Sequence, residues 1–275
     1  MPPATERYGA GVARTEPVGI IGGSGFYSLL EHPESRTVST PYGEPSETIT
    51  FGTLAGRPTA FLPRHGAGHR YPPHLVPYRA NLWALRAVGV RQVLSLSAVG
   101  SLRVDLSTGT LVVPDQVVDR TSGRPHTLYD EPNGVGHASF ADPYCARGRA
   151  AAVCSPAAPV DGGTLVVVNG PRFSSRAESL EFQSHGWSII GMTAMPEAGL
   201  ARELSLCYTT LALVTDLDAG VQAGEGVTHA EVLEAFAANL PRLRALLVDT
   251  LAALPDAQGD CPCGDRTGLA ALPSG

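Results

Sequence analysis

Asp216 and Asp218 stand two residues apart in Thr215-Asp216-Leu217-Asp218, directly after the apolar run Cys207–Val214. That run reads as a buried strand. If the extended backbone continues, residues i and i+2 face one side, and both carboxylates converge on one ligand. Partial burial raises a carboxyl pKa, which keeps a proton available for donation. The plainer alternative is a pair of solvated acids closing a strand.

Other segments supply groups suited to an anion. Gly22-Gly23-Ser24-Gly25 follows the apolar run Val18–Gly22. Glycine-rich turns after a strand offer backbone N–H groups, and Ser24 adds a hydroxyl. Ser28 stands where a dinucleotide fingerprint needs its third glycine, so a single phosphate fits better than a dinucleotide. Arg64 and His65 end another strand, and a guanidinium is a bidentate fork for phosphate. Ser97 and its neighbour Ala98, in Ser95-Leu-Ser97-Ala-Val-Gly100-Ser101, read as a strand entering a turn with hydroxyl and N–H donors. Thr193 sits at a strand-to-helix junction, where an anion is favoured. Four residues on, Glu197 is a candidate for a sugar hydroxyl. Phe173 offers a face for a flat base.

The cation inventory narrows the chemistry. The chain has 20 basic residues and every one is Arg, which removes a P-loop lysine, a Schiff base and a lysine general base. His65 and His69 have i, i+4 spacing, but Gly66 and Gly68 oppose a helix there, so no metal is expected. Of the five cysteines, Cys145, Cys154 and Cys207 read as small buried hydrophobes. Cys261-Pro-Cys263 reads as part of a mobile tail, with a local disulfide or a weak metal pair as alternatives.

These residues need a scaffold of strand ends. Strand signals at Val18–Gly22, Gln92–Leu96, Thr110–Val113, Thr164–Val168, Ser188–Ile190 and Cys207–Val214 alternate with helical ones. The helices fall at Tyr78–Val88, Pro143–Val153, Ser175–His185, Pro196–Leu204 and from an N-cap at Thr228 to about Leu254. Glu47–Leu54 and Arg57–Pro63 read as a hairpin. The alternation indicates an α/β layer architecture, in which ligands sit at the carboxyl ends of strands. Residues 1–16 read as a loose extension, 17–254 as the domain and 255–275 as a flexible tail. With 275 residues, 43% of them hydrophobic, the chain can build a sizeable core. A net charge of −6 disfavours nucleic acid and anionic membranes as partners. No apolar run has the roughly 20 residues of a membrane span, and the N-terminus lacks a signal-peptide core, so a cytoplasmic protein is expected.

Collinear stretches across residues 18–254 then carry a family likeness. They are Ile20-Ile-Gly-Gly-Ser-Gly-Phe26, Leu62-Pro-Arg-His-Gly66, Tyr78-Arg-Ala-Asn-Leu-Trp-Ala-Leu85, Ser97-Ala-Val-Gly-Ser-Leu102, Asp115-Gln-Val-Val-Asp-Arg-Thr121, Gly170-Pro-Arg-Phe-Ser174 and Gly191-Met-Thr-Ala-Met-Pro-Glu197. Together they resemble the trimeric branch of the purine nucleoside phosphorylase and S-methyl-5'-thioadenosine phosphorylase family. The resemblance implies a single domain with a mixed central sheet flanked by helices. It implies a phosphate site of Ser24, Arg64, His65, Ser97, Ala98 and Thr193. Phe173 and Met192 would flank base and ribose, and Asp216 and Asp218 would bind the purine and carry catalysis. His137 would reach into a neighbouring subunit's site, which implies a homotrimer, or a dimer of such trimers. No cofactor and no metal are implied, since inorganic phosphate is a co-substrate.

The expected reaction is phosphorolysis of an adenosine-type nucleoside to adenine and a pentose 1-phosphate. Members acting on 6-oxopurines carry Glu after the Phe and Asn near position 216, whereas this chain has Ser174 and Asp216. A 6-oxo group would meet Asp218 acceptor to acceptor, a penalty of about 1–3 kcal/mol. At the 5' end the likeness divides. Val232 matches members taking a methylthio group, while His229 matches those taking a 5'-hydroxyl, or is simply solvated. The alternatives are a 6-oxopurine nucleoside phosphorylase, a nucleoside hydrolase, a non-catalytic nucleoside-binding protein and a dinucleotide-dependent oxidoreductase.

Overall fold

A computed structural model describes residues 16–23, 30–130, 136–221, 228–266, 269 and 271. One 11-stranded sheet organises them. The strands are β1 (Val18–Gly22), β2 (Glu31–Arg36), β3 (Ile49–Leu54), β4 (Arg57–Pro63), β5 (Gln92–Ser101), β6 (Leu111–Val113), β7 (Gln116–Arg120), β8 (Val160–Asp161), β9 (Thr164–Val168), β10 (Ile189–Gly191) and β11 (Cys207–Leu217). The order is β2-β3-β4-β1-β5-β10-β9-β7, with β11 on β5, β6 on β11 and β8 on β6. Strands β4, β1, β5 and β11 run parallel, while β10 meets β5 antiparallel, so the sheet is mixed as expected.

Strand β5 is the axis. β11 pairs with it from Gln92 to Ser101, β1 covers Gln92–Ser95, and β10 takes Gly100 and Ser101. The sequence reading stopped β5 at Leu96 and made Ser97–Ser101 a turn. The strand instead continues, because partners hold the backbone of these small residues to its end. β11 likewise runs three residues beyond Val214, with a register shift between Val214 and Asp216.

Helices α1 (Tyr78–Ala87), α2 (Ala146–Val153), α3 (Arg176–Ser184), α4 (Ala194–Glu203) and α5 (His229–Ala253) complete the layers. Capping boxes start two of them, Ser175 with Glu178 for α3 and Thr228 with Glu231 for α5. On one sheet face Ile20, Phe61, Leu94 and Leu211 pack with Leu243, Leu247 and Leu251 of α5 and with Ala152 of α2. On the other, Ile21, Leu62, Val93 and Tyr208 pack with Leu82 and Leu85 of α1 and Leu200 and Leu204 of α4. Consecutive strand residues thus serve opposite layers, which is why the strands read as continuous apolar runs.

Two expectations need correction or limit. The chain after Leu254 is not a free tail over its first ten residues. Arg57 donates to the carbonyls of Leu254 (2.8 Å) and Pro255 (3.0 Å), and Gln258, Cys261 and Cys263 are buried. Buried cysteines and an arginine at the helix's carbonyl end hold the segment down. Residues 1–15 of the supposed N-terminal extension lie outside the described residues. Among the described residues, no helix is long and apolar enough to cross a membrane.

Candidate active site

A cavity of about 520 Å³ opens at the carboxyl ends of β4, β5 and β11 and beyond β9 and β10. Small-molecule sites have this size. Arg64, His65, Ser97, Ala98 and Thr193 line it, as do Phe173, Met192, Asp216, Asp218, His229 and Val232. Among the residues expected in the site, Ser24 lies outside the described residues. His137 is exposed and does not line the cavity of its own chain.

Asp216 marks one end. It pairs in register with Gly100, whereas Ser97 lies three residues earlier along β5, about 10 Å away. The irregularity at Thr215 turns the Asp216 carboxyl toward Gly100, where a Cβ would lie 2.9 Å from Oδ2. Glycine at 100 therefore makes room for the acid. Thr215 Oγ donates to Asp216 Oδ1 at 2.7 Å. Ser179 Oγ donates to Asp218 Oδ2, and the backbone N–H of Asp218 donates to Ser101 O at 2.9 Å. Burial raises both carboxyl pKa values, against the hydrogen bonds from Thr215 and Ser179 that lower them. The charge of Asp218 pushes Asp216 further up. The convergence expected from the spacing is present, and it comes through a bulge and a strand end.

Arg64 and Ser97 mark the other end. Arg64 is 3% exposed, and its guanidinium donates to both oxygens of Glu197, at 2.8 and 3.0 Å. It also donates to Leu96 O (2.9 Å) and Ser95 Oγ (2.6 Å). Of its five N–H groups, these contacts take four, leaving one on Nη1. Glu197 is fully buried and receives Ser95 Oγ and Tyr208 OH as well, each at 2.7 Å. Glu197 is therefore not a sugar ligand, as its position at the start of α4 suggested. Burial opposes its charge, yet Arg64 and the surrounding donors hold its carboxyl below the usual range.

Near that pair, Ser97 Oγ is buried with no hydrogen-bond partner. Ser97 lines the cavity, and a buried hydroxyl without a protein partner has an unused donor. Thr193 occupies the N-cap position of α4 without capping it, which leaves its hydroxyl available. His65 Nδ1 lies 2.8 Å from Tyr71 O, and a carbonyl requires the proton on Nδ1. Burial, with Arg64 beside it, lowers the His65 pKa to about 4, so the ring is neutral and Nε2 is an acceptor. His65 and His69 stack at 4.1 Å with planes 9° apart, in a turn with left-handed backbone at Gly68. Stacked rings do not aim both nitrogens at one cation, so this pair is not built as a metal site.

One organising residue escaped the sequence reading. Arg124 is buried and donates to Met192 O (2.9 Å), Met195 O (2.6 Å) and Asn169 O (2.8 Å). It ties the segment before Phe173 to the one bearing Met192 and Thr193. An isolated Arg in a loop carries no periodicity, so nothing in its spacing signalled this role.

A family model described as "Phosphorylase superfamily" matches residues 17–252, and the chain belongs to that superfamily. The "Purine nucleoside phosphorylase" of Streptomyces coelicolor is 59% identical, over 91% of this chain and 94% of its own. The "S-methyl-5'-thioadenosine phosphorylase" of Mycolicibacterium smegmatis is 54% identical, over 86% and 91%. Among solved structures, a methylthioadenosine phosphorylase from Schistosoma mansoni in complex with adenine superposes with a TM-score of 0.81 at 38% identity, covering 86% of this chain and 91% of that one. A methylthioadenosine phosphorylase from an antarctic soil metagenomic library gives 0.82 at 39% identity, covering 94% and 93%. The chain is an enzyme of the nucleoside phosphorylase type, a pentosyltransferase with the mixed α/β fold of these relatives.

Proposed function

We propose that the chain cleaves an adenosine-type nucleoside with inorganic phosphate, releasing adenine and a pentose 1-phosphate. The observation that carries this is one cavity with two chemically opposite ends. Arg64, Ser97 and Thr193 offer donors at one end, and two carboxyls with raised pKa values lie at the other.

The reaction follows from that polarity. As the C1'–N9 bond breaks, positive charge builds on the sugar and negative charge on the purine. Asp216, whose carboxyl pKa is raised by burial, donates to N7 and neutralises the departing base. Asp218 accepts from the 6-amino group, and a 6-oxo group in its place would meet a second acceptor. Phosphate, held by the remaining Arg64 N–H, Ser97 Oγ and Thr193, waits on the opposite face of the sugar and bonds to C1'. His65, its ring neutral, accepts a hydrogen bond at Nε2 from a protonated phosphate oxygen. The backbone at Ala98 completes this end, and Ser24, outside the described residues, is assigned to phosphate by the family resemblance alone. Phe173 and Met192 flank base and ribose. This chemistry draws on no lysine and no cofactor, and phosphate is consumed as co-substrate.

At the 5' end His229 and Val232 both line the cavity. Adenosine and S-methyl-5'-thioadenosine are both within the proposal, His229 serving a hydroxyl and Val232 an apolar substituent. His137 is read as serving a neighbouring subunit in a homotrimer. Its exposure outside its own cavity supports that reading, as do Leu75 and Leu233, 60% and 54% exposed and within two residues of the cavity residues Pro73 and Val232. Buried, unpaired cysteines favour a reducing compartment, the cytoplasm.

The test is a kinetic comparison of adenosine, S-methyl-5'-thioadenosine and inosine, with and without phosphate. Adenine release should require phosphate, and inosine should be the poorest substrate. Equal release in phosphate-free buffer would identify a hydrolase instead.

A further inference from the structure

Four cysteines far apart in sequence meet away from the cavity. Cys145 is the N-cap of α2, Cys207 opens β11, and Cys261 and Cys263 flank Pro262 in a 3-10 turn at Pro262–Gly264. All four are buried, at 2–6% exposure, and none is in a disulfide. Their sulfurs all lie within 4.8 Å of one another, and those of Cys145 and Cys261 are 3.8 Å apart. We propose that these four residues form a tetrahedral zinc site that pins the C-terminal segment to the domain.

The geometry matches the ion. Four thiolates bound to zinc at about 2.3 Å stand about 3.8 Å apart along each tetrahedral edge. Sulfurs this close suit one ion, because a polynuclear iron–sulfur centre holds its cysteines further out on a cage of several irons. Binding displaces four thiol protons to solvent and leaves a net charge of −2. Neighbouring groups accommodate that charge. The backbone N–H of Gly148 donates to Cys145 Sγ and the Gln258 amide donates to Cys207 Sγ, each at 3.5 Å. Arg147 and Arg202 line the adjoining surface cavity together with Cys261 and Cys263. Ligand orientation by such N–H donors is characteristic of built metal sites.

The connectivity gives the ion a structural role. It would join the start of α2, the start of β11 and the chain beyond α5, adding to the Arg147–Asp260 ion pair (2.7 Å), the Gln258 amide donating to Ser205 O (2.8 Å) and the Cys145 N–H donating to Tyr208 O (2.8 Å). All four positions are filled by protein, which leaves none for a substrate, so the site is closed. Cys261-Pro-Cys263 is one residue shorter than the usual two-residue spacing of zinc ligands, and the tight 3-10 turn at Pro262 accommodates this.

The test uses the full chain, purified reduced and without chelator, incubated with one equivalent of zinc sulfate and desalted. Elemental analysis should find one zinc per chain, and X-ray absorption should find four sulfurs at about 2.3 Å. A Cys154→Ser variant, altering the exposed fifth cysteine, should bind zinc equally well, whereas Cys207→Ser and Cys263→Ser should lose it. Chelation should lower the melting temperature and make the four thiols reactive. Should the reduced wild-type chain fail to retain zinc, or retain iron instead, the proposal is wrong. It is equally wrong if the purified protein's mass shows hydrogens lost to disulfides that reform in preference to metal binding.

Discussion

Arg64 and Glu197 form a two-pronged ion pair, 133 residues apart in sequence, with the carboxylate wholly excluded from solvent. The pair fixes the guanidinium plane beneath the end of the cavity proposed to hold phosphate. Losing one partner strands a buried charge, which costs about 3–5 kcal/mol. Glu197→Ala should therefore show a marked loss of stability in urea denaturation, and a phosphate KM raised more than kcat is lowered. Glu197→Gln, which keeps the shape, should lose less. A denaturation midpoint unmoved by Glu197→Ala would show that Arg64 does not depend on it.

Ser97 presents the reverse case. Its buried hydroxyl has no partner in the protein, so deleting it removes nothing the fold uses. Ser97→Ala should be nearly neutral for stability, because it leaves no protein partner unpaired. If the hydroxyl donates to phosphate, a charged acceptor, about 1.5–3 kcal/mol is lost on binding, or roughly tenfold or more in phosphate KM. Titration of phosphate dependence measures this, and an unchanged KM would remove Ser97 from the site.

Asp216→Ala should lower kcat by about 100-fold or more, the contribution of a general acid, while leaving the phosphate KM nearly as it was. Asp216→Asn keeps a donor of fixed character and should shift preference toward inosine relative to adenosine. Steady-state kinetics with both nucleosides checks the two variants together.

The same acid predicts a stability profile. Its pKa is raised on folding, so its contribution is fully present below the unfolded carboxyl range and is lost as pH rises through the folded value. Asp216→Asn, which cannot ionise, should therefore melt higher than wild type at pH 7, and the gap should close on acidification. Melting curves at pH 7 and pH 4 would decide, with a constant gap contradicting the raised pKa.

His65 behaves in the opposite sense. Folding lowers its pKa from 6.5 to about 4, so it supports the fold above the unfolded value and that support disappears as pH falls from 6.5 through 4. Its ring should stay neutral at pH 6 in a histidine NMR titration. A His65→Asn variant should lose less stability than wild type over that acid window.

Legibility from sequence followed the strength of each physical signal. The runs forming β1, β9 and β11 are buried on both faces, so their apolar character announced them. Thr228, read as an N-cap, marked the start of α5 for an equally local reason, since its hydroxyl accepts from the Glu231 N–H. β2 is exposed throughout and β7 is mostly polar, so neither has a period to read. Site residues at strand ends were legible as types. The pairing of Glu197 with Arg64, the loop-tying by Arg124 and the meeting of four cysteines are contacts across the fold, which spacing along one chain does not encode.

The two ends of β11 differ from α5 in how they can open. Every residue from Cys207 to Thr215 is buried, and β5 pairs with the strand along its length. Amide hydrogens here should exchange only when the whole domain unfolds, so Asp216 rests on the most slowly exchanging part of the protein. The first three turns of α5 are exposed or half-buried, and the buried leucines begin at Leu243. His229 and Val232 therefore sit on a segment that can fray without disturbing the sheet. In the proposed reaction, substrate would come and go by local opening beside His229 and Val232, while Asp216 and Asp218 stay fixed in place.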